Sequence, residues 1–258
     1  MTDPLTDIPP GGSGRLFLEL NAAWAIAKKD IRIYYFKPNI IVSGMLFPLF
    51  MFLAFAVGRA AEPAVMIPGL IAITILFSAS SIEPVSIPIE RRTRTFDRLL
   101  AAPVSLNAVV LGESLSGFLY ASAIAAVPFA AGILLFFVPV QNPVPLIAGV
   151  LLTAFCFATM GTLFSAYPTE SPGDIMSMLN LVRLPLIFIS GIFIPLSSIP
   201  PILRIVAYLS PLTYGNNLIS AAFSGTSHFP WAVDIGMLCL FIAIFQVMAY
   251  RLYRKFSD

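Results

Sequence analysis

The 258-residue chain is predicted to be an all-α integral membrane protein with six transmembrane helices, and three observations carry that expectation. Apolar side chains make up 58% of the chain and charged ones only 11%, against ~25% charged residues in an ordinary soluble domain. A water-soluble protein of this composition lacks the polar groups to cover its own surface. The apolar residues fall in six runs close to the ~20 residues that a helix needs to cross hydrocarbon. Finally, Lys and Arg are segregated into alternate connections between those runs.

Residues 1–14 carry Asp3 and Asp7 with Pro4, Pro9 and Pro10, and read as an acidic, disordered cytoplasmic tail. No basic stretch leads there into a short apolar core, so the first span is expected to act as its own insertion signal. Over 15–36, Phe17, Leu20, Trp24, Ala27, Ile31 and Tyr35 recur at helical spacing, with Ile26 and Ile33 off the stripe. Trp24, Tyr34 and Tyr35 suit the headgroup layer, and Lys28, Lys29 and Arg32 suit anionic lipid. The expected element is a helix lying along the inner leaflet.

The spans are expected at 40–57, 64–82, 109–137, 144–166, 175–195 and 232–250. The third is long enough to tilt, or to kink at Pro128. Between the fifth and sixth, Pro195, the Pro200-Pro201 pair and Pro211-Leu212-Thr213-Tyr214 interrupt an apolar stretch. Proline starts helices well and interrupts them badly. Two short helices fit, one opening at Pro200-Pro201 and one after Pro211. Each is too short to cross, and a re-entrant pair on the outer side suggests a lid over a path.

Orientation follows the basic residues. Arg15, Lys28, Lys29, Arg32 and Lys37 precede the first span. Arg91, Arg92, Arg94 and Arg98 follow the second, and Arg251, Arg254 and Lys255 follow the sixth. The opposite side holds Arg59 and Arg204, and the 167–174 loop holds neither Lys nor Arg. Both termini and the central charged loop are thus expected in the cytoplasm, on a multi-pass protein of the inner membrane. That loop, from Glu90 through Arg91, Arg92, Arg94, Thr95, Phe96, Asp97 and Arg98 to Leu99 and Leu100, is amphipathic and stands between two apolar runs. It is a natural handle for a soluble partner.

Other functions find little purchase. A basic stripe with interleaved aromatics is missing, so nucleic acid is not an expected partner. Neither HExxH nor a cysteine cluster occurs, and no metal or cofactor is expected. His228 has Asp234 nearby, and one such pair does not make an enzyme's site. Cys156 and Cys239 both lie in apolar runs and read as small buried side chains. Gly117, Ala121 and Ala125, four residues apart, allow close helix approach. Arg183 sits about nine residues into the fifth span, roughly 13 Å deep. It either faces a path, pairs with Glu83 or Glu113, or snorkels to the headgroups. The chain also lacks G-x-x-x-x-G-K-[ST], the loop that cradles nucleotide phosphates. A secondary transporter and an integral membrane enzyme stay open as alternatives.

Three segments carry a family resemblance. One is Glu90-Arg91-Arg92 with Thr95-Phe96-Asp97-Arg98-Leu99-Leu100-Ala101-Ala102-Pro103-Val104-Ser105. The others are Ser190-Gly191-Ile192-Phe193-Ile194-Pro195-Leu196-Ser197-Ser198-Ile199-Pro200 and Leu209-Ser210-Pro211-Leu212-Thr213-Tyr214. In combination they resemble the permeases of type-2 ABC exporters (the ABC-2 type), over about residues 15–255. The resemblance implies a permease domain over 15–258 that moves a drug, a lipid or a glycan-type substrate outward. It implies a separate ABC ATPase subunit in two copies and a second permease copy, identical or related. Residues 95–102 would be the coupling helix seated in a cleft of the ATPase. Glu90 opens that signature, and Arg91, Arg92, Arg94, Asp97 and Arg98 would supply charge pairs. Phe96, Leu99 and Leu100 would supply the apolar anchor. Pro195, Pro200, Pro201, Pro211 and Tyr214 would belong to the outer gate helices. The chain departs from the family pattern at Arg94, where glycine is usual, and at Glu113, where lysine is usual. At the gate it offers Asn216, Asn217 and Ser220 where an acid and an arginine are usual.

Overall fold

Within hydrocarbon a backbone must satisfy its own hydrogen bonds, and this chain does so with helices. A computed structural model describes residues 12–56, 63–194, 196–198 and 200–257, and these form helices, turns and short connections without a strand. The helices are α1 (Gly12–Tyr34), α2 (Pro38–Ile41), α3 (Phe47–Ala56), α4 (Pro63–Ala79), α5 (Glu83–Arg92) and α6 (Thr95–Leu100). They continue with α7 (Leu106–Leu134), α8 (Pro143–Ser165), α9 (Pro172–Ile189), α10 (Pro201–Tyr208), α11 (Pro211–Ser224) and α12 (Trp231–Ser257). Among the described residues, five stretches are long and apolar enough to cross a membrane: Pro63–Arg92, α7, α8, α9 and α12. The expected first run, 40–57, is instead broken into α2, a π-helical turn at Val42–Leu46 and α3. Of the expected tail, residues 1–11 lie outside the described residues, and Gly12 already opens α1.

Local chemistry sets the helix ends. Proline occupies the first turn of α5, α8, α9, α10 and α11, where its missing N–H has no intrahelical partner to lose. Ser105 caps α7 by accepting from the Ala108 amide at 3.1 Å, and Asn142 caps α8 by accepting from Val144 at 3.0 Å. The Ser105 cap starts α7 three residues before the expected position, and the helix ends correspondingly early at Leu134. The paired short helices expected from the prolines are present as α10 and α11.

α4 is the centre of the molecule. Every residue from 67 to 88 is buried. α7, α8 and α11 pack around α4, and Ile71, Ile75, Phe77, Phe157, Leu212 and Ile219 belong to one apolar core. The small-residue stripe of Gly117, Ala121 and Ala125 is buried in this packing rather than on an outer seam. Cys156 is buried as expected, whereas Cys239 is exposed on the outward side of α12.

Between α4 and α5 the helix is interrupted at residues 80–82. An interruption at membrane depth strands carbonyl groups, and Arg183 from α9 reaches them. Its guanidinium donates to the Ser80 carbonyl, to Ser80 Oγ at 3.0 Å and to Ser81 Oγ at 3.3 Å. It also lies over the Phe77 ring, 5.2 Å from the centroid, and is only 1% exposed. Among the described residues no carboxylate lies within ion-pair distance of it. The expected pairing with Glu83 or Glu113 is therefore replaced by donation to backbone and hydroxyl oxygens. Glu83, at the start of α5, instead accepts from the Gly117 amide at 3.1 Å.

α1 packs along α7 through Ala23, Ile26, Ala27, Asp30 and Tyr34, all buried. Phe17, Leu20 and Trp24 stay exposed. The apolar stripe read for the inner leaflet thus stays outward at these three residues, and Ile26, expected off it, is in the packed face. The cause is Gly112 on α7, where a Cβ would come within 2.8 Å of the Ala23 carbonyl and 2.9 Å of Ile26 Cβ. Gly112→Val is expected to force α1 away and cost about 1–3 kcal/mol. Thermal unfolding of the detergent-solubilised chain measures this, and an unchanged midpoint would refute the contact.

Candidate functional site

The charged elbow between α5 and α7 is built by a tight reversal. Arg94 adopts a left-handed conformation (φ 58°) immediately before α6. L-residues other than glycine and asparagine enter that region at a cost of about 1–2 kcal/mol, which accounts for a preference for glycine at this place. Thr93 and Thr95 hydroxyls both donate to the Glu90 carbonyl at 3.2 Å and stitch the reversal to the end of α5.

α6 turns one side inward. Phe96 is 3% exposed and packs with Ile87, Val110, Ala166, Ala249 and Tyr253, its ring 5.9 Å from that of Tyr253 on α12. Leu99 and Leu100 are half-buried against the same cluster. Phe96 therefore anchors α6 to the chain's own body, where the sequence suggested an anchor in a partner. Arg91 is likewise committed: it donates to the Tyr167 carbonyl, to the Ala166 carbonyl at 3.3 Å, and stands over the Phe96 ring at 5.3 Å. What faces outward is Arg92, Arg94, Thr95, Asp97 and Arg98.

Beside α6 lies a cleft of about 290 Å³, walled by Asp97 and Leu100, by Pro168, Thr169 and Glu170, and by Tyr253 and Phe256. Sequence reasoning missed the 168–170 loop and the end of α12. The loop carries no basic residue, and nothing in its spacing links it to residue 96. The Arg91 bonds to carbonyls 166 and 167 are what bring it there.

On the other end of the bundle, α10 and α11 are clamped together. Thr213 Oγ1 donates to the Ala207 carbonyl at 2.6 Å and the Tyr214 hydroxyl to the Tyr208 carbonyl at 2.7 Å. Pro200 precedes α10, Pro201 and Pro211 open the two helices, and Pro195 lies outside the described residues. Asn217 donates to Asp234 Oδ2 at 2.6 Å and accepts from the His228 amide at 2.7 Å. Asp234 thus partners Asn217, and the His228 ring rests edge-on against Phe229.

The elbow and the paired short helices both fall inside a stretch, residues 21–224, that matches the family model described as ABC-2 type transporter. The chain belongs to the ABC-2 type transporter family. Among similar proteins, the Inner membrane transport permease YadH of Escherichia coli (strain K12) is 27% identical over 192 residues, 74% of each chain. Nodulation protein J of Neorhizobium galegae is 26% identical over 209 residues, 77% of this chain and 76% of the relative. Nodulation protein J of Rhizobium leguminosarum bv. trifolii is 26% identical over 205 residues. The chain is a multi-pass membrane transport permease.

In this permease the elbow is tied to α1 by an inner charge cluster. Lys29 Nζ stands 2.7 Å from Glu90 Oε1, 3.1 Å from Asp30 Oδ1 and 3.5 Å from Glu113 Oε1. The Tyr34 hydroxyl donates to Glu90 Oε1 at 3.3 Å. Lys29, expected to meet anionic lipid, is drawn inside by these acids, while Lys28 and Arg32 remain exposed. The acids raise its pKa against the opposing effect of burial. Glu113, on α7, thus meets an incoming lysine rather than being one.

Proposed function

We propose that the permease is the membrane-spanning part of an ATP-driven exporter of the inner membrane. It receives force at α6 from a separate ABC ATPase subunit, present in two copies, and works beside a second permease copy, identical or related. Residues 38–56 form the first of six spans, and both termini and α6 face the cytoplasm. α10 and α11 gate the outer end of the path, and a drug, lipid or glycan-type substrate leaves there. The observation that carries the reading is the two-sidedness of α6. Phe96 fixes it to the ends of α5, α7, α8 and α12, while Asp97, Arg98, Arg92 and Arg94 stay outside, free for a protein surface. A helix that is charged outward and bolted inward transmits a push to the spans behind it.

The test is charge reversal on the outward side. The permease should co-purify with an ATPase that turns over ATP. Arg98→Glu should lower that retention about tenfold or more, equivalent to about 1.4 kcal/mol or more of binding, with thermal unfolding unchanged. Full retention and turnover in the Arg98→Glu, Asp97→Ala double variant would count against docking here.

A further inference from the structure

The side chains that meet where α1, the end of α5 and α7 converge do not balance in charge. Asp30, Glu90 and Glu113 are 0%, 5% and 1% exposed, and Lys29 is the cation among them. Fully ionised, three carboxylates and one ammonium leave two negative charges in excess. Burying uncompensated charge is costly enough that a group so placed takes up a proton instead.

A second observation points to the same occupant. Asp30 Oδ1 and Glu113 Oε1 both lie against the one Lys29 ammonium, at 3.1 and 3.5 Å. Beyond that ammonium, no donor among the described residues reaches their carboxyl oxygens. Two buried carboxyl groups crowded against one ammonium ease their repulsion by taking up a proton. The other titratable groups facing the site are Tyr34 and Tyr35 on α1, Glu83 on α5 and Tyr253 on α12. Arg91, near Tyr253, is taken by the 166 and 167 carbonyls.

We propose that this junction is a proton-binding site, in which Asp30 and Glu113 share a proton while Glu90 pairs ionised with Lys29. The shared proton halves the buried excess, and the Tyr34 hydroxyl supports Glu90. Burial pushes the Asp30 carboxyl up to about 6, against the pull of Lys29. The site lies one hydrogen bond from α6, because the Glu90 carbonyl accepts from Thr95. None of this depends on an ATPase partner.

Infrared difference spectra of the full chain in lipid nanodiscs read the proton directly. Below about pH 6 the permease should show a protonated-carboxyl C=O band that Glu113→Gln and Asp30→Asn each remove and Lys29→Met strengthens. Glu83→Gln serves as the control, because Glu83 is also buried with one oxygen unpartnered, and it should leave that band in place. The folded chain binds more protons here than the unfolded one, so thermal stability should fall as pH rises from the ordinary carboxylate range toward about 6. That slope should shrink in Glu113→Gln. A band surviving both Glu113→Gln and Asp30→Asn, or no band beyond the one Glu83→Gln removes, overturns the proposal. Should one variant fail to fold, the other decides together with the comparison of the unaltered chain and Glu83→Gln.

Discussion

Arg183→Ala is expected to destabilise the permease by about 3–5 kcal/mol. Arg183 fills a site 1% exposed and satisfies a helix interruption that has no other access to solvent. Its removal strands the Ser80 carbonyl, worth about 1–3 kcal/mol, and opens a void against Phe77. Arg183→Lys is expected to recover only part of the loss, because an ammonium cannot span the carbonyl and both serine hydroxyls as the planar fork does. Thermal unfolding of the purified chain measures both variants, with amide exchange at residues 80–82 as the local readout. An Arg183→Ala variant that melts with the unaltered protein would show that the break needs no cap.

The second large effect is at Phe96. α6 spans six residues, too few to hold a helix by itself. Its order comes from one aromatic ring set against Tyr253, Ile87 and Ala249. Phe96→Ala removes about 3–5 kcal/mol of that anchoring. Because the lost contacts are local, the expected result is fast amide exchange over 95–100 with a smaller drop in global melting. ATPase retention should fall as well, although Phe96 itself faces away from any partner. Arg98→Glu should weaken retention too, but with normal exchange. Equal exchange in Phe96→Ala and the unaltered chain would refute the anchor.

The architecture was legible because hydrocarbon imposes few solutions. Long apolar runs had to be helices, and the prolines at 200, 201 and 211 marked where α10 and α11 begin. What did not show was which side of each polar element turns inward. Arg91, Phe96 and Lys29 look like surface residues in a charged segment. Their burial depends on Tyr253, the 166–167 carbonyls and Glu90, partners remote in the chain or on another helix. Arg183 was recognisable as a buried charge, but its acceptors were not, since a helix break at residues 80–82 has only two serines to announce it. The first run looked continuous because apolarity is blind to the π-helical turn at Val42–Leu46. The glycine pattern gave a surer signal: Gly117, Ala121 and Ala125 are packed as their spacing suggested.

The seat of α1 also imposes a sequence of events during biosynthesis. Its packed face needs Gly112, which the ribosome adds ~90 residues after Ala23, on the order of ten seconds later at bacterial-like elongation rates. Until then the helix has only its outer stripe, Phe17, Leu20 and Trp24, to engage. The nascent amino-terminal segment must therefore park on the bilayer surface while later spans are threaded in, and it docks only once the third long helix arrives.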